Sequence, residues 1–259
     1  MWALYDELIA GLPGGVYVRQ AGQSPWRAWV ETEHSLGLAS LLLPGREAAP
    51  ARLLAEFAGQ PLAEVAALAK SWLPVPAAVG VAALNAWYNQ PLLLQGRKAD
   101  VYPPGISAQA GQDEGDIFLQ LLPKARGQRV ATVGHFPGIR EIYADCCDFY
   151  VLEQEPRPGD LPAAAAEYLL PAMDLVFITG MTLTNKTLPR LLQLCAKAFV
   201  VLVGPSVPLT PLLFNYGVDM LSGTLITDPA ACIAALLRGT ADSDYFRCAA
   251  KALLRAEPG

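Results

Sequence analysis

Four short stretches of the chain gather polar side chains where an apolar run gives out: "GHFPGI" (134–139), "EQEPRPGD" (153–160), "TGMTLTNKTL" (179–188) and "GPSVPLTP" (204–211). His135 brings an imidazole that can face an anion or move a proton. Glu153 follows Gly134 by 19 residues, the spacing at which dinucleotide folds set an acid on the ribose. Thr179, Thr182, Thr184 and Thr187 surround Asn185 with hydroxyls. Thr187 is expected to cap the helix through Leu191, which leaves Asn185 for a ligand. Ser206, two residues after Gly204 and held between Pro205 and Pro208, reads as a rigid hydroxyl that orients a ligand. It is not a nucleophile elbow, because G-x-S-x-G is absent. Blander roles compete: a loop hydrogen-bonder for His135, and a solvated strand end for Glu153.

The turn around Gly134 is not a dinucleotide fingerprint. G-x-G-x-x-G needs its second glycine so that a pyrophosphate can approach the backbone, and Phe136 occupies that place. Weak or absent binding of NAD and FAD is therefore expected. A further polar residue, Asn85, sits among small apolar neighbours in "VGVAALNAWYN" and must satisfy its amide through the core or a ligand. Gly80, Ala82 and Ala83 would let another backbone come close to that helix.

The cysteines argue against a thiolate metal cage. Cys146, Cys147, Cys195, Cys232 and Cys248 include no C-x-x-C pair, which suits reduced thiols in a reducing compartment. The adjacent Cys146 and Cys147 are expected to point apart. In "ETEH", Glu31, Glu33 and His34 read as the polar outer face of a strand.

The elements that must position these residues fall into two patterns. "GVYVRQ", "WRAWVET" and "SLGLASLLL" read as strands, the first two joined through "AGQSP". "APARLLAEFAG", "PLAEVAALAKSWL" and "PAAVGVAALNAWYNQ" then repeat apolar residues at three- and four-residue steps, as helices do. From about residue 113 the pattern alternates. "RVATVG", "DFYVLE", "DLVFITG", "AFVVLVG" and "VDMLSG" are β-branched, nearly unbroken apolar runs, expected of parallel strands covered on both faces. Thr210-Pro211 and Asp228-Pro229 supply helix starts, and Gly217 and Gly239 helix ends. The linker is expected at 105–116. The division is thus an α+β domain over 1–112 and a Rossmann-like, doubly wound parallel-sheet domain over 113–259.

Composition excludes several partners. Of 259 residues 53% are apolar, enough for one or more cores, and the net charge is −5. Residues 1–112 hold seven Lys/Arg against eight Asp/Glu, which leaves twelve against sixteen for 113–259. Neither half has the basic footprint of a nucleic-acid or anionic-membrane binder. The acidic N-terminus, "MWALYDELIAG", does not read as an export signal, and a cytoplasmic protein is expected.

"VGHFPGI", "DLPAAAAEYLLPAMDLVFITGMTLTNKTLPRLL", "VVLVGPSVPLTPLLFNYGVDMLSG" and "VGVAALNAWYN" together resemble the uncharacterised bacterial and archaeal family labelled putative heavy-metal chelation. That resemblance implies an enolase N-terminal-like α+β domain, then the Rossmann-like domain, with a site in the cleft between them. It carries the site onto Asn85, His135, Glu153, Asn185 and Ser206, beside which we place Gly134, Thr179 and Gly204. The implied function is binding of a small anionic or metal-complexing ligand, with a metal ion or metal complex as cofactor. The alternative is an enzyme that uses a nucleotide-like cofactor, with Glu153 on its ribose and His135 as acid/base. A small molecule or metal complex is the expected partner, nucleic acid and membrane are not, and homo-oligomerisation is left open.

Overall fold

The computed structural model describes residues 2–41, 50–103, 115–238 and 247–257. The first half builds a four-stranded antiparallel sheet from β1 (Gln20–Gln23), β2 (Arg27–Glu31), β3 (Leu36–Ser40) and β4 (Arg52–Leu53), in the order β3-β2-β1-β4. Helices α1 (Ala3–Ala10), α2 (Leu62–Ala67), α3 (Pro74–Tyr88) and α4 (Pro91–Gly96) accompany it. The second sheet has eight strands: β5 (Asp100–Tyr102), β6 (Arg129–Val133), β7 (Asp148–Glu153), β8 (Leu161–Pro162), β9 (Leu175–Thr179), β10 (Phe199–Val203), β11 (Met220–Ile226) and β12 (Ala249–Arg255). Their order is β5-β12-β11-β10-β9-β6-β7-β8. The run from β11 to β8 is parallel, and β12 and β5 close one edge antiparallel. Helices α5 (Ile117–Ala125), α6 (Ile139–Tyr143), α7 (Ala166–Leu169), α8 (Met181–Thr184), α9 (Leu188–Leu194) and α10 (Pro229–Arg238) fall between the strands.

The parallel strands form where unbroken β-branched runs predict them, because both faces of this sheet are covered. Val130, Ala131, Val176, Phe177, Ile178, Val200, Val201 and Leu202 are all fully buried. Strand β5 lies on the N-terminal side of residue 112 in sequence yet pairs with β12, so the larger sheet takes its edge from the first half of the chain. One continuous apolar core runs from Leu4 and Tyr5 through α3 to Val176, Leu202 and Leu254, joining the two sheets.

Several local expectations shift. "AGQSP" is not the hairpin turn: Ala21, Gly22 and Gln23 are strand, and the chain turns at Ser24–Trp26. Glycine is required in that strand because the Trp29 ring lies over Gly22, where a Cβ would collide with it. "APARLLAEFAG" is not an α-helix. Its Arg52–Leu53 pairs with Gly22–Gln23, and only Ala55–Phe57 makes a 3-10 turn. Leu54 alone of its large apolar residues is fully buried, too little to hold a helix against the sheet. Glu33 and His34 lie in the turn after β2, where Thr32 Oγ1 accepts from His34 N. The expected linker at 105–116 falls, save for its last two residues, outside the described residues, as does Gly239.

Helix α3 is what joins the halves. Eleven of its fifteen residues are buried, and it carries no charged residue. Gly37 of β3 lies under it so closely that a Cβ would overlap the Ala82 carbonyl and the Ala86 amide, while Gly80 meets the backbone of Ala69 in the same way. Pro74 and Pro76 start the helix, where a missing N–H costs nothing.

Candidate functional site at the strand carboxyl edge

Strands β10, β9, β6 and β7 are adjacent and parallel, so Gly204, Thr179, Gly134 and Glu153 arrive at one edge. Gly134 and Gly204 have φ of 104° and 117°, a region L side chains avoid, which lets the chain leave each strand sharply. Gly134 also lies against Thr179: a Cβ there would come within 2.8 Å of Thr179 Cγ2.

Around Gly134 the polar groups converge. Glu153 Oε2 accepts from His135 N at 2.9 Å and Oε1 from Gln154 N at 2.7 Å, so this carboxylate clamps the turn. His135 keeps 27% of its side chain exposed, and its Nδ1 lies 3.4 Å from Asp160 Oδ2. That nitrogen is buried and has no hydrogen-bond partner among the described residues, so the two groups touch without a well-aligned hydrogen bond. Asp160 has only 2% of its side chain exposed; it accepts from Arg140 NH2 at 3.0 Å and from Arg157 N at 3.1 Å. Burial pushes the Asp160 carboxyl up, but the Arg157 amide, the Arg140 guanidinium and the neighbouring His135 outweigh it and hold the group below its ordinary value. The result is a partly exposed imidazole held beside a buried carboxylate.

The remaining expected residues are placed differently. Asn85 is fully buried, and its Nδ2 donates to Leu38 O at 2.7 Å and Pro205 O at 3.1 Å; Oδ1 has no partner among the described residues. Ser206, also fully buried, accepts from Ser40 N at 2.7 Å. The two therefore meet at the seam between the sheets, where they tie the "GPSVPLTP" loop to α3 and β3. Thr179 Oγ1 accepts from Met181 N at 3.4 Å. Thr187 does not cap α9 through its side chain; its N–H and hydroxyl both donate to Asn185 Oδ1, at 3.1 and 2.7 Å. Asn185 thus has a local duty that its sequence context did not suggest.

Two thiols expected to point apart converge instead. Cys146 and Cys147 each donate to the Tyr143 carbonyl at 3.4 Å, three and four residues back at the end of α6. Burial, with the Cys146 thiol alongside, pushes Cys147 up to about 12, so it is no ready thiolate. Among the described residues no group of three His, Cys, Asp or Glu side chains could hold a metal ion. A bare heavy metal caged by protein ligands does not fit this donor set.

Sequence reasoning missed Asp160 and Arg140. Asp160 stood at the end of a quoted loop, but nothing in "RPGD" shows that the loop folds back onto His135. Asn89 was missed too: it donates to Val207 O and Thr224 O and accepts from Leu209 N at 2.7 Å, across the same seam as Asn85.

Comparison with known proteins decides the family. A family described as "putative heavy-metal chelation", DUF364, matches residues 116–255, more than half of the chain. The chain belongs to the DUF364 family. A second family with the same description, DUF4213, matches residues 5–88. The crystal structure of a DUF364 protein of unknown function from Desulfitobacterium hafniense is 30% identical, with a TM-score of 0.85 over 99% of both chains. A second DUF364 structure, from Pyrococcus horikoshii, has a TM-score of 0.68 over 98% of both chains at 19% identity, a likeness of fold alone. An uncharacterised protein of Methanocaldococcus jannaschii is 31% identical over 148 residues, and this match spans 56% of that protein and 54% of this chain. The family is a two-domain α/β fold, and its description points to metal chelation. Among the described residues no helix is long and apolar enough to cross a membrane.

Proposed function

We propose that the chain binds a small anionic ligand, in the form of a metal chelate that brings most of its own donors, at the carboxyl edge of β6, β7 and β9 beside the seam between the two halves. The observation that supports this most is the His135–Asp160 pair, in which a buried carboxylate lies 3.4 Å from Nδ1 while 27% of the imidazole side chain stays exposed. A carboxylate beside one imidazole nitrogen stands where an outer shell supports a histidine that donates to a metal through the other. Here His135 is one donor, not one of a cage, so the metal is cargo and its other positions are filled by the ligand that carries it. Gly134 and Gly204 open the edge, Thr179 and Asn185 add polar groups, and Arg140 brings a positive charge beside the site. Asn85 and Ser206 hold the first half against this edge.

A ribose on Glu153 is the less favoured reading, since both carboxylate oxygens already accept backbone N–H groups.

Calorimetric titration with zinc citrate, an anionic chelate with positions left to fill, tests the proposal. Zinc citrate is expected to bind more tightly than free zinc ion or NAD. His135→Ala should weaken it by roughly 1 to 3 kcal/mol, the cost of losing one polar partner. Tighter binding of the free ion, or a His135→Ala variant that binds the chelate like wild type, would refute the reading.

A further inference from the structure

Lys186 follows Asn185, but its amine lies by Trp72, and it is unlike the other lysines. The chain has six, and Lys186 alone is buried, with 7% exposure. Its backbone is left-handed, φ 66°, an arrangement costly for any residue with a Cβ. That turn folds the side chain back so that Nζ donates to the Thr184 carbonyl at 2.6 Å. No carboxylate lies within ion-pair reach of it among the described residues. The Thr184 hydroxyl, on the residue that holds the amine, is buried without a partner among the described residues. Burial lowers the amine to about 8. Glycine would suit this backbone and methionine this burial; a lysine suits neither.

What the amine faces is aromatic. Nζ is 5.8 Å from the centroid of Trp72, whose own ring lies 5.8 Å from that of Trp2. Trp72 is 67% exposed, so its ring is open to a ligand. A flat ring laid along Trp72 would carry a substituent toward Nζ.

We propose that Lys186 is a carbonyl-reactive amine at which a small aromatic aldehyde, stacked on Trp72, condenses to an imine. The neutral amine lone pair attacks the carbonyl carbon and a C–N bond forms. The carbonyl oxygen then takes both amine protons and leaves as water, so that amine and aldehyde give imine and water with no change of oxidation state. A desolvated lysine in an apolar setting is the form in which this side chain acts as a nucleophile. The inference is independent of the chelate reading, since it uses neither His135 nor Asp160.

The test treats the full-length protein at pH 8 with equimolar 2-hydroxybenzaldehyde, traps imines with borohydride and locates the label by peptide mass spectrometry. Lys186 is expected to carry at least about tenfold more label than any of the other five lysines, its larger neutral fraction outweighing slower access. Trp72→Ala, a change at an exposed position, should cut labelling of Lys186 about fivefold with the aromatic aldehyde, the loss of one stacking contact, and leave labelling by butanal unchanged. Label that follows exposure, with Lys98, Lys124 and Lys197 ahead of Lys186, overturns the proposal. A Trp72→Ala protein labelled like wild type overturns the aromatic part of it.

Discussion

Asp160 and Lys186 are charged side chains taken out of water in opposite ways, and their pH behaviour should differ in sign. Asp160 is held below its ordinary value by Arg157 N, Arg140 and His135 against the pull of burial. Its folded pKa is depressed, so its stabilisation is present above the unfolded pKa and is lost as pH falls through the folded one. Asp160→Asn should therefore cost roughly 1 to 3 kcal/mol at pH 7 and little at acidic pH where wild-type Asp160 is itself protonated. Thermal unfolding of both proteins across that range checks it. For Lys186 the unfolded chain holds more protons between about 8 and the ordinary 10.5, so stability rises with pH there. Lys186→Met, which keeps the same backbone demand, should be more stable than wild type at pH 7 by roughly 1 to 3 kcal/mol. That advantage should vanish above about pH 10.5. Neither residue announced itself in the sequence. Asp160 acts through a loop that folds back, and the amine of Lys186 meets the ring of Trp72, more than a hundred residues away.

At the scale of elements, the sequence was legible where one physical demand dominates. Parallel strands buried on both faces and the uncharged, mostly apolar α3 follow directly from composition. The misread segments are those where two demands compete. In "AGQSP" glycine and polar residues suggest a turn, yet Gly22 is a strand residue thinned to admit Trp29. In "APARLLAEFAG" the helical period is real, but an edge of the sheet takes the backbone of Arg52–Leu53. Helix α3 gives a sharp test, because its glycine contacts are backbone against backbone. Gly37→Ala should destabilise by roughly 2 to 3 kcal/mol or prevent folding, since the Ala82 carbonyl and Ala86 amide cannot move aside independently. Gly96 at the end of α4 has open space around it, so Gly96→Ala should be neutral or stabilise by up to about 1 kcal/mol. Chemical denaturation of both variants separates the two cases.

For the molecule as a whole, the seam is the decisive feature. A site between two domains was expected from the resemblance, and the structure shows that much of the polar chemistry there joins protein to protein. Asn85, Asn89 and Ser206 are buried and bonded across it, and one apolar core passes through it. Two separable units would melt separately; this chain should unfold in a single calorimetric transition. Asn89→Ala should lower that transition by roughly 2 to 4 kcal/mol, because it leaves the Val207 and Thr224 carbonyls and the Leu209 amide unpaired. Above about pH 9 the buried thiols of Cys195 and Cys232, raised to about 12 by burial, favour the unfolded chain, which ionises first. Stability should fall as pH rises from the ordinary thiol value toward 12, and Cys→Ala variants should flatten the fall.

The hydrogen bond from Ser40 N to Ser206 Oγ also sets a timetable. Its partners lie 166 residues apart, and the Leu38 and Pro205 carbonyls that share Asn85 are as widely separated. On the ribosome, β3 and α3 emerge with their inner faces complete but uncovered, and they stay so until the loop after β10 has been made. At ordinary elongation rates that wait is on the order of ten seconds, long for a face of α3 whose Asn85 still lacks the Pro205 carbonyl. Nascent chains arrested before residue 204 should recruit a chaperone such as trigger factor and remain open to protease, and chains arrested well past residue 226 should lose both properties together.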